Sequence, residues 1–179
     1  MRDLFGEELG QAPGMGGHQS ASSDSEVWLT PPWLLAALGG AEAFELDPCA
    51  VMEPRPWPTA QRHFTRLENG LLQPWAGRIF CNPPYGGPAV VGPWMRRLAD
   101  HGDGIALIFA RTDTAVFHET VWRRATAVHF LEGRLFFHRP DGSVADHNAG
   151  APSCLVAYGE AAEAQLRAAP LKGFHIVLR

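Results

Sequence analysis

The sequence has little of several features that mark whole classes of protein. It contains only three cysteines, Cys49, Cys81 and Cys154, and no C-x-x-C pair. This argues against a zinc site and against a secreted disulfide scaffold. No stretch approaches the ~20 apolar residues of a membrane-spanning helix, and no basic-then-apolar leader opens the chain. We therefore expect a cytoplasmic protein with no metal site and no membrane partner.

Basic charge is also scarce, and it is unevenly distributed. Fifteen Lys and Arg against nineteen Asp and Glu give a net charge of −4, which does not by itself indicate a nucleic-acid partner. Residues 1–60 carry nine acids and two arginines, whereas residues 85–140 carry seven arginines and five acids. DNA binding would therefore require these arginines to share one face.

What the chain does contain is enough apolar residues for one folded domain. Hydrophobic residues make up 46% of the 179 residues and charged residues 19%. Residues 1–25 are rich in glycine, serine and polar residues and lack apolar periodicity, so we interpret them as a flexible N-terminal arm. Residues 26–179 are interpreted as a single domain.

Short apolar runs alternate with helix-like segments along this domain. We predict strands over 43–46, 77–81, 104–110, 127–131, 135–138, 153–158 and 174–178, and helices over 31–38, 91–101, 114–124 and 160–168. Thr30 is the predicted N-cap of the first helix, and Thr112 or Asp113 that of the third. This alternation indicates an α/β fold with a largely parallel sheet. Ligands of such sheets bind beyond the carboxyl ends of the strands. Two unusual tetrapeptides, L-D-P-C from Leu46 and N-P-P-Y from Asn82, lie at such ends.

The N-P-P-Y segment combines groups that suit an aromatic amine. Pro83 and Pro84 form a rigid extended turn because each fixes φ and lacks a backbone donor. The Asn82 carboxamide and the Pro83 carbonyl offer two acceptors, and Tyr85 adds a flat ring. Accepting both hydrogens of an aromatic amine frees its lone pair to attack an electrophilic methyl group. The alternative is a proline-rich turn that merely ends a strand.

Asp47 lies at the other strand end. Its carboxylate can accept hydrogen bonds from a ribose or an ammonium group, or it can cap the segment that follows. No G-x-G-x-x-G follows this strand, which argues against a dinucleotide bound through its pyrophosphate. A cofactor without phosphates fits better.

The order and spacing of several motifs resemble one family. The motifs are M-G-G-H-Q-S at Met15, W-L-T-P-P at Trp28, L-D-P-C-A at Leu46, E-N-G-L at Glu68, C-N-P-P-Y-G at Cys81 and A-R-T-D-T at Ala110. Together they resemble the small DNA adenine-N6 methyltransferases carried mainly by phages and prophages, often called Dam-like. The resemblance implies S-adenosylmethionine as methyl donor and double-stranded DNA with an adenine target as substrate. It also implies a Rossmann-like methyltransferase fold, with helices on both faces of a trimmed, mostly parallel sheet.

The resemblance also assigns roles to the matched residues. The catalytic pocket would consist of Asn82, Pro83, Pro84 and Tyr85. Donor contacts would come from Trp28, Thr30, Pro31, Asp47, Pro48, Cys49, Glu68 and Asn69. We expect Glu68 or Asn69 on a short strand or loop, because only 34 residues separate Asp47 from Cys81. Phe136 or Phe137 would supply the second wall around the target base, or would belong to the core.

DNA contacts are expected from a few further residues. Because the target adenine lies inside a duplex, it must rotate out of the base stack to reach Tyr85. Arg111 would contact a phosphate or the neighbouring bases, or else pair with Asp113. His18 would lie on the arm as it folds over bound donor or DNA. The loop over 139–152 is long enough to enter a groove. The pairs at 96–97 and 123–124 are interpreted as solvated helix faces.

Two kinds of alternative stay open at this stage. The same chemistry can act on another amine: RNA adenine, cytosine N4 or a protein glutamine. A different class of protein would be a non-catalytic DNA- or peptide-binding relative that keeps the fold. The sequence does not specify an oligomeric state.

Overall fold

Seven short strands form one sheet within residues 28–179, the part of the chain that the computed structural model describes. They are β1 (Leu46–Asp47), β2 (Arg62–His63), β3 (Ile79–Cys81), β4 (Gly104–Phe109), β5 (Ala127–Leu131), β6 (Ser153–Tyr158) and β7 (Gly173–Val177). Their order in the sheet is β2-β1-β3-β4-β6-β5-β7. The predicted arm over 1–25 and His18 lie outside the described residues.

The sheet divides into a parallel half and an antiparallel half. Strands β2, β1, β3 and β4 pair in parallel, whereas β6 is antiparallel to both β4 and β5, and β7 is antiparallel to β5. Five of the seven strands therefore point the same way, and β6 and β7 are reversed. The predicted largely parallel sheet is right for one half only. Strand β6 enters between β4 and β5 from a loop, because an antiparallel neighbour needs no helical crossover.

Helices cover both faces of the sheet, as predicted. They are α1 (Pro32–Ala37), α2 (Pro88–His101), α3 (Ala115–Phe117, continued by a π-helical turn over His118–Trp122) and α4 (Glu160–Ala168). Successive residues of β4 point to opposite faces. Ile105 and Leu107 therefore join a core with α1 and α4, while Ala106 and Ile108 join a second core with α2 and α3. The mixed α/β architecture is thus confirmed. No helix among residues 28–179 is long and apolar enough to cross a membrane.

Two predicted strands differ from the structure. The stretch 135–138 is not a strand; it has one isolated bridge position, His138, which pairs with Leu29 and with Val144. Its alternating pattern arises because Leu135 and Phe137 are buried while Phe136 is exposed. Backbone bonds from a nearby loop replace the ladder of a strand. Farther upstream, a 3₁₀ turn covers Ala41–Ala43, and the strand predicted over 43–46 begins only at Leu46.

The connection between β1 and β2 contains no helix. Parallel neighbours usually require a helical crossover, yet the segment over 48–61 is irregular throughout. It lies beside the carboxyl end of β1 and contributes side chains to the cavity described next. In the shortened chain between Asp47 and Cys81, part of a cavity wall therefore takes the place of a helix.

Candidate active site

A small, partly open cavity of about 30 Å³ lies at the carboxyl ends of β1 and β3. Its walls combine aromatic, small and charged side chains. They belong to Trp28, Leu29, Thr30, Asp47, Cys49, Ala50, Val51, Arg55, Trp57, Thr59 and Asn82.

The cavity brings together five of the residues singled out from the sequence. Four are predicted donor-binding residues, and the fifth, Asn82, belongs to the predicted catalytic pocket: Trp28, Thr30, Asp47, Cys49 and Asn82. The other predicted donor contacts, Pro31, Pro48, Glu68 and Asn69, do not line it. The sequence patterns did not single out Arg55, Trp57 or Thr59, which also line the cavity.

Asp47 is a buried carboxylate held by two donors. Its Oδ1 accepts the Cys49 backbone N–H at 2.9 Å, and its Oδ2 accepts the Thr59 hydroxyl at 2.5 Å. Burial raises the pKa of Asp47 to about 6, and the hydrogen bonds from Thr59 and Cys49 act in the opposite direction. Each oxygen retains acceptor capacity for a ligand.

Thr59 is itself fixed by a histidine on β2. The backbone N–H groups of Thr59 and Ala60 both donate to His63 Nε2, at 3.2 and 3.3 Å. A ring nitrogen that accepts hydrogen bonds must be unprotonated, and burial lowers the pKa of His63. Neutral His63 therefore fixes the loop whose hydroxyl holds Asp47. The L-D-P-C motif gave no sign of this support.

Two thiols meet at the edge of the cavity. Cys49 Sγ lies 3.7 Å from Cys81 Sγ, and Cys81 immediately precedes Asn82. Burial raises the pKa of Cys49 well above its usual value. The thiol is therefore uncharged at neutral pH, and Cys49 provides a neutral wall rather than a nucleophile.

Thr30 does not cap α1 as predicted. The N-cap is Pro31, and no side-chain bond caps this helix. The Thr30 hydroxyl instead lines the cavity; it is 2% exposed and has no hydrogen-bond partner within residues 28–179. A buried hydroxyl without a partner is costly. The cavity therefore fits a ligand with a polar group at this point.

Asn82 has a fixed orientation. Its Nδ2 donates to the Trp28 carbonyl at 3.0 Å, which leaves Oδ1 as the acceptor on the other side of the carboxamide. Oδ1 accepts the Tyr85 hydroxyl at 3.1 Å. The segment that carries Trp28 is tied a second time, because Trp57 Nε1 donates to the Thr30 carbonyl at 3.2 Å. The segment over 28–30 thus connects Asn82 on one side of the cavity to Trp57 on the other.

Tyr85 packs into an aromatic cluster. Its ring centroid lies 4.6 Å from that of Phe109 and 5.5 Å from that of Phe137. Burial raises the pKa of the Tyr85 hydroxyl, which stays protonated and able to donate. This hydroxyl occupies the same Asn82 oxygen that the sequence analysis assigned to the target amine. Phe137 is a core residue, whereas Phe136 is 48% exposed.

Arg111 follows the carboxyl end of β4 and is exposed. Its guanidinium lies 6.0 Å from the centre of the Phe109 ring, the same ring that packs against Tyr85. In the described part of the chain it forms no ion pair with Asp113, the alternative considered for it. Arg111 therefore keeps its charge available beside the aromatic cluster.

Most of the other arginines in this half of the chain are engaged in the fold. Arg96 forms two bonds with Glu119, at 2.8 and 2.9 Å, and Arg124 pairs with Asp100 at 2.6 Å. The Arg97 guanidinium stacks 4.9 Å from the Trp75 ring centre and donates to the carbonyls of residues 71 and 73. These side chains connect helices to loops and to one another. The expectation that they lie on solvated helix faces is therefore only partly right.

The E-N-G-L motif has a structural explanation. Glu68 and Asn69 lie in an exposed turn after β2. Asn69 adopts φ +52°, a left-handed conformation that asparagine tolerates better than most residues. A Cβ at Gly70 would lie 1.8 Å from the Pro48 carbonyl oxygen. The glycine of the motif, Gly70, thus packs against the L-D-P-C segment. This contact explains why the position is a glycine and does not require it to touch the donor.

Comparison with known proteins identifies the family. The sequence model described as DNA N-6-adenine-methyltransferase (Dam) matches residues 17–167, most of the chain. Neither a curated protein nor a solved structure matches the chain. The match includes every motif from His18 to the end of the predicted DNA-contacting loop. On this basis the chain belongs to the DNA N-6-adenine-methyltransferase (Dam) family.

Proposed function

We propose that this chain transfers a methyl group from S-adenosylmethionine to N6 of an adenine rotated out of double-stranded DNA. The observation that carries the proposal is the position of Asn82. Its side chain lines the cavity at β1 and β3, and its Oδ1 is bonded to Tyr85 in the aromatic cluster. Asn82 is therefore common to a site suited to a methyl donor and a site suited to a planar base.

The cavity supports the choice of donor. Trp28 and Trp57 offer aromatic walls, while Asp47 and the unpartnered Thr30 hydroxyl offer buried polar groups. Bound there, the donor would supply an electrophilic methyl group on a sulfonium. Its positive charge is compatible with neutral Cys49 and with the carboxylate of Asp47.

The target side of the site requires acceptors rather than a strong base. Asn82 Oδ1 and the Pro83 carbonyl would accept the two hydrogens of the adenine amine. The freed nitrogen lone pair forms the new N–C bond as the C–S bond breaks, and the bonding pair stays on sulfur. The nitrogen then releases one proton to water. Asn82 must first release the Tyr85 hydroxyl, so binding of the base displaces an internal hydrogen bond.

Base rotation has to be compensated by contacts of the extruded nucleotide. Unstacking costs a few kcal/mol, which stacking on Tyr85 and on a second aromatic side chain can offset. The burial of Phe137 in the core favours exposed Phe136 for the second wall. Arg111 would bind a neighbouring phosphate. Exposed residues of the loop over 139–152 stay our candidates for a groove contact.

The architecture supports the finer fold assignment. Four parallel strands with a cavity at their carboxyl ends match the ligand position of open α/β sheets. We propose a Rossmann-like methyltransferase domain over 26–179, with the sheet shortened at the β1–β2 crossover.

The function is tested by methyl transfer to defined nucleic acids. Unmethylated plasmid is incubated with the protein and isotope-labelled S-adenosylmethionine, then digested to nucleosides for mass spectrometry. We expect label on N6-methyldeoxyadenosine. Label on N4-methyldeoxycytidine, on RNA adenosine in a parallel reaction, or on glutamine of a protein substrate in a third reaction would identify one of the alternatives. The absence of transfer to all of these substrates would reject the proposal.

Replacement of Asn82 by alanine separates donor binding from chemistry. Asn82→Ala should bind S-adenosylhomocysteine within about threefold of wild type, because the cavity keeps its other walls. Turnover should fall about 100-fold or more, as when one positioned group is removed from a transition-state site. Calorimetry and single-turnover methylation measure the two effects. Turnover near that of wild type would remove Asn82 from the assigned role.

A further inference from the structure

Two buried polar atoms in the cavity wall have no hydrogen-bond partner within residues 28–179. They are Thr30 Oγ1 and Arg55 Nε. The Thr30 residue is 2% exposed and the Arg55 side chain 14% exposed. Unpaired buried donors are rare in folded proteins and each needs an explanation. Because both residues line one cavity, one ligand group is a candidate partner for both atoms.

The guanidinium of Arg55 is held by the other two nitrogens. Nη1 pairs with Glu53 Oε1 at 2.7 Å, and Nη2 donates to the Val51 carbonyl at 3.2 Å. The Arg55 backbone N–H also donates to Glu53 Oε2, at 2.8 Å. These bonds anchor the side chain at its tip and leave Nε as the guanidinium nitrogen without a partner within residues 28–179. Arginine stays charged at all relevant pH values, so the unpaired donor carries positive charge.

We infer that Arg55 Nε–H and the Thr30 hydroxyl bind the carboxylate at the amino-acid end of the methyl donor. This inference rests on the proposed function and names the part of the donor that these residues recognise. A carboxylate has two acceptor oxygens and no donor, which matches two unpaired donors. Hydrogen bonds between a guanidinium and a carboxylate are also among the stronger ones in proteins.

The charges around the cavity favour a carboxylate over a phosphate. Asp47 lines the same cavity as Arg55, and its carboxylate would repel an anion that brings no compensating cation. An α-amino acid end carries one carboxylate and one ammonium group, so it presents a partner to each of these two charges. A nucleic-acid phosphate has no cationic group that could pair with Asp47.

The test compares ligands that differ only at the amino-acid end. S-adenosylhomocysteine has the carboxylate and the ammonium, its decarboxylated amine analogue has the ammonium alone, and 5′-methylthioadenosine has neither. We expect Arg55→Met to weaken S-adenosylhomocysteine about 10-fold or more, in line with loss of a charged hydrogen bond. Binding of the other two ligands should change less than twofold. Calorimetry on the full chain measures all three.

Two further substitutions keep the test decisive if Arg55→Met does not fold. Arg55→Lys keeps the charge but has no Nε–H, and Thr30→Val keeps the shape but has no hydroxyl. Both should selectively weaken S-adenosylhomocysteine relative to 5′-methylthioadenosine. Arg66→Met is the matched control, because Arg66 is exposed and does not line the cavity. It should leave all three affinities unchanged.

The outcomes distinguish this inference from the proposed function. If the Arg55 and Thr30 variants weaken all three ligands equally, these residues only shape the cavity and the inference is wrong. If they weaken none, it is also wrong. If the wild-type protein binds none of the ligands, the proposed donor itself fails, and the carboxylate assignment fails with it. A selective loss for the carboxylate-bearing ligand supports both.

Discussion

At the scale of single residues, the side chains of the candidate site are oriented by hydrogen bonds, several of them from residues outside their own sequence motif. Asn82 is oriented by the Trp28 carbonyl, and Asp47 by Thr59, which in turn depends on His63. Asn82 and Asp47 were predictable because each stands at a strand end in an unusual tetrapeptide. Thr59 and Arg55 were not, because one polar residue in a proline-rich segment carries no periodic signal.

Substitution of Tyr85 separates its ring from its hydroxyl. Tyr85→Ala should reduce the fluorescence gain of a 2-aminopurine probe at the target position, because the extruded base loses a stacking partner. Tyr85→Phe keeps the ring and frees Asn82 Oδ1, so its fluorescence gain should equal or exceed that of wild type. An unchanged signal in Tyr85→Ala would exclude the stacking role.

The pH dependence of stability should carry a contribution from Asp47. Its pKa rises from 3.8 unfolded to about 6 folded, so the folded state binds more protons between these values. Its contribution is fully present below pH ~4, is lost as pH rises towards ~6, and stays constant above. The change in the pKa of Asp47 from 3.8 to about 6 corresponds to about 3 kcal/mol of stability.

Urea unfolding from pH 3.5 to 7.5 measures this contribution. Asp47→Asn should remove the decline in unfolding free energy between pH ~4 and ~6, because asparagine does not titrate. Asp113→Asn, in an exposed turn, is the matched control and should retain the wild-type profile. The same decline in Asp47→Asn would show that other groups cause it.

At the scale of elements, the irregular segment between β1 and β2 is the distinctive part. It supplies Val51, Arg55, Trp57 and Thr59 to the cavity, where a helix would normally cross over. Long apolar runs such as β4 and β6 were predicted to within a residue, because buried strands leave a continuous signal. The strand predicted over 135–138 is wrong because buried and exposed side chains alternate there, as in a strand, although no neighbouring strand pairs with the segment.

Substitution of Gly70 tests how tightly its turn packs against the L-D-P-C segment. Gly70→Ala places a methyl group against the Pro48 carbonyl, so we expect a loss of about 2 kcal/mol or more in unfolding free energy. Affinity for S-adenosylhomocysteine should also fall, because Pro48 lies between Asp47 and Cys49. Thermal unfolding and calorimetry measure these effects.

Gly92→Ala serves as the comparison for Gly70→Ala. Gly92 is also buried, but it lies within α2, and its nearest neighbour is the end of the Arg96 side chain at 3.0 Å. That side chain can shift, and alanine favours a helix by ~1 kcal/mol over glycine. Its stability should change by less than about 1 kcal/mol. Equal losses in both variants would contradict the contact with Pro48 as the cause.

At the scale of the whole molecule, the distribution of engaged and available charges indicates how DNA can bind. Arg96, Arg97 and Arg124 hold helices and loops together, whereas Arg111 is exposed at the strand end nearest the aromatic cluster. Sequence reasoning predicted the helices on both faces, but not the antiparallel half of the sheet. Strand order depends on long-range pairing that local patterns do not record.

Replacement of Arg111 should weaken DNA binding without affecting the donor. If Arg111 contacts one phosphate, Arg111→Ala should lower duplex affinity and reduce the slope of log K against log salt by about one. Affinity for S-adenosylhomocysteine should not change. Fluorescence anisotropy with a labelled duplex over a salt series measures both quantities.

Arg96→Ala provides the control for this experiment, because its charge is already paired with Glu119. It should leave the salt slope unchanged. A reduced slope in Arg96→Ala, or an unchanged one in Arg111→Ala, would place the DNA on another face.

The bond from Tyr85 to Asn82 has a consequence for the enzyme at rest. If Asn82 Oδ1 had no partner beside a sulfonium, it would accept hydrogen bonds from water and from small buffer amines. An amine held there would be methylated in place of adenine. In the proposed mechanism, the Tyr85 hydroxyl would keep such amines from Asn82 Oδ1 until an adenine displaces it. We therefore expect the resting protein to leave Tris and ammonia unmodified even at saturating donor.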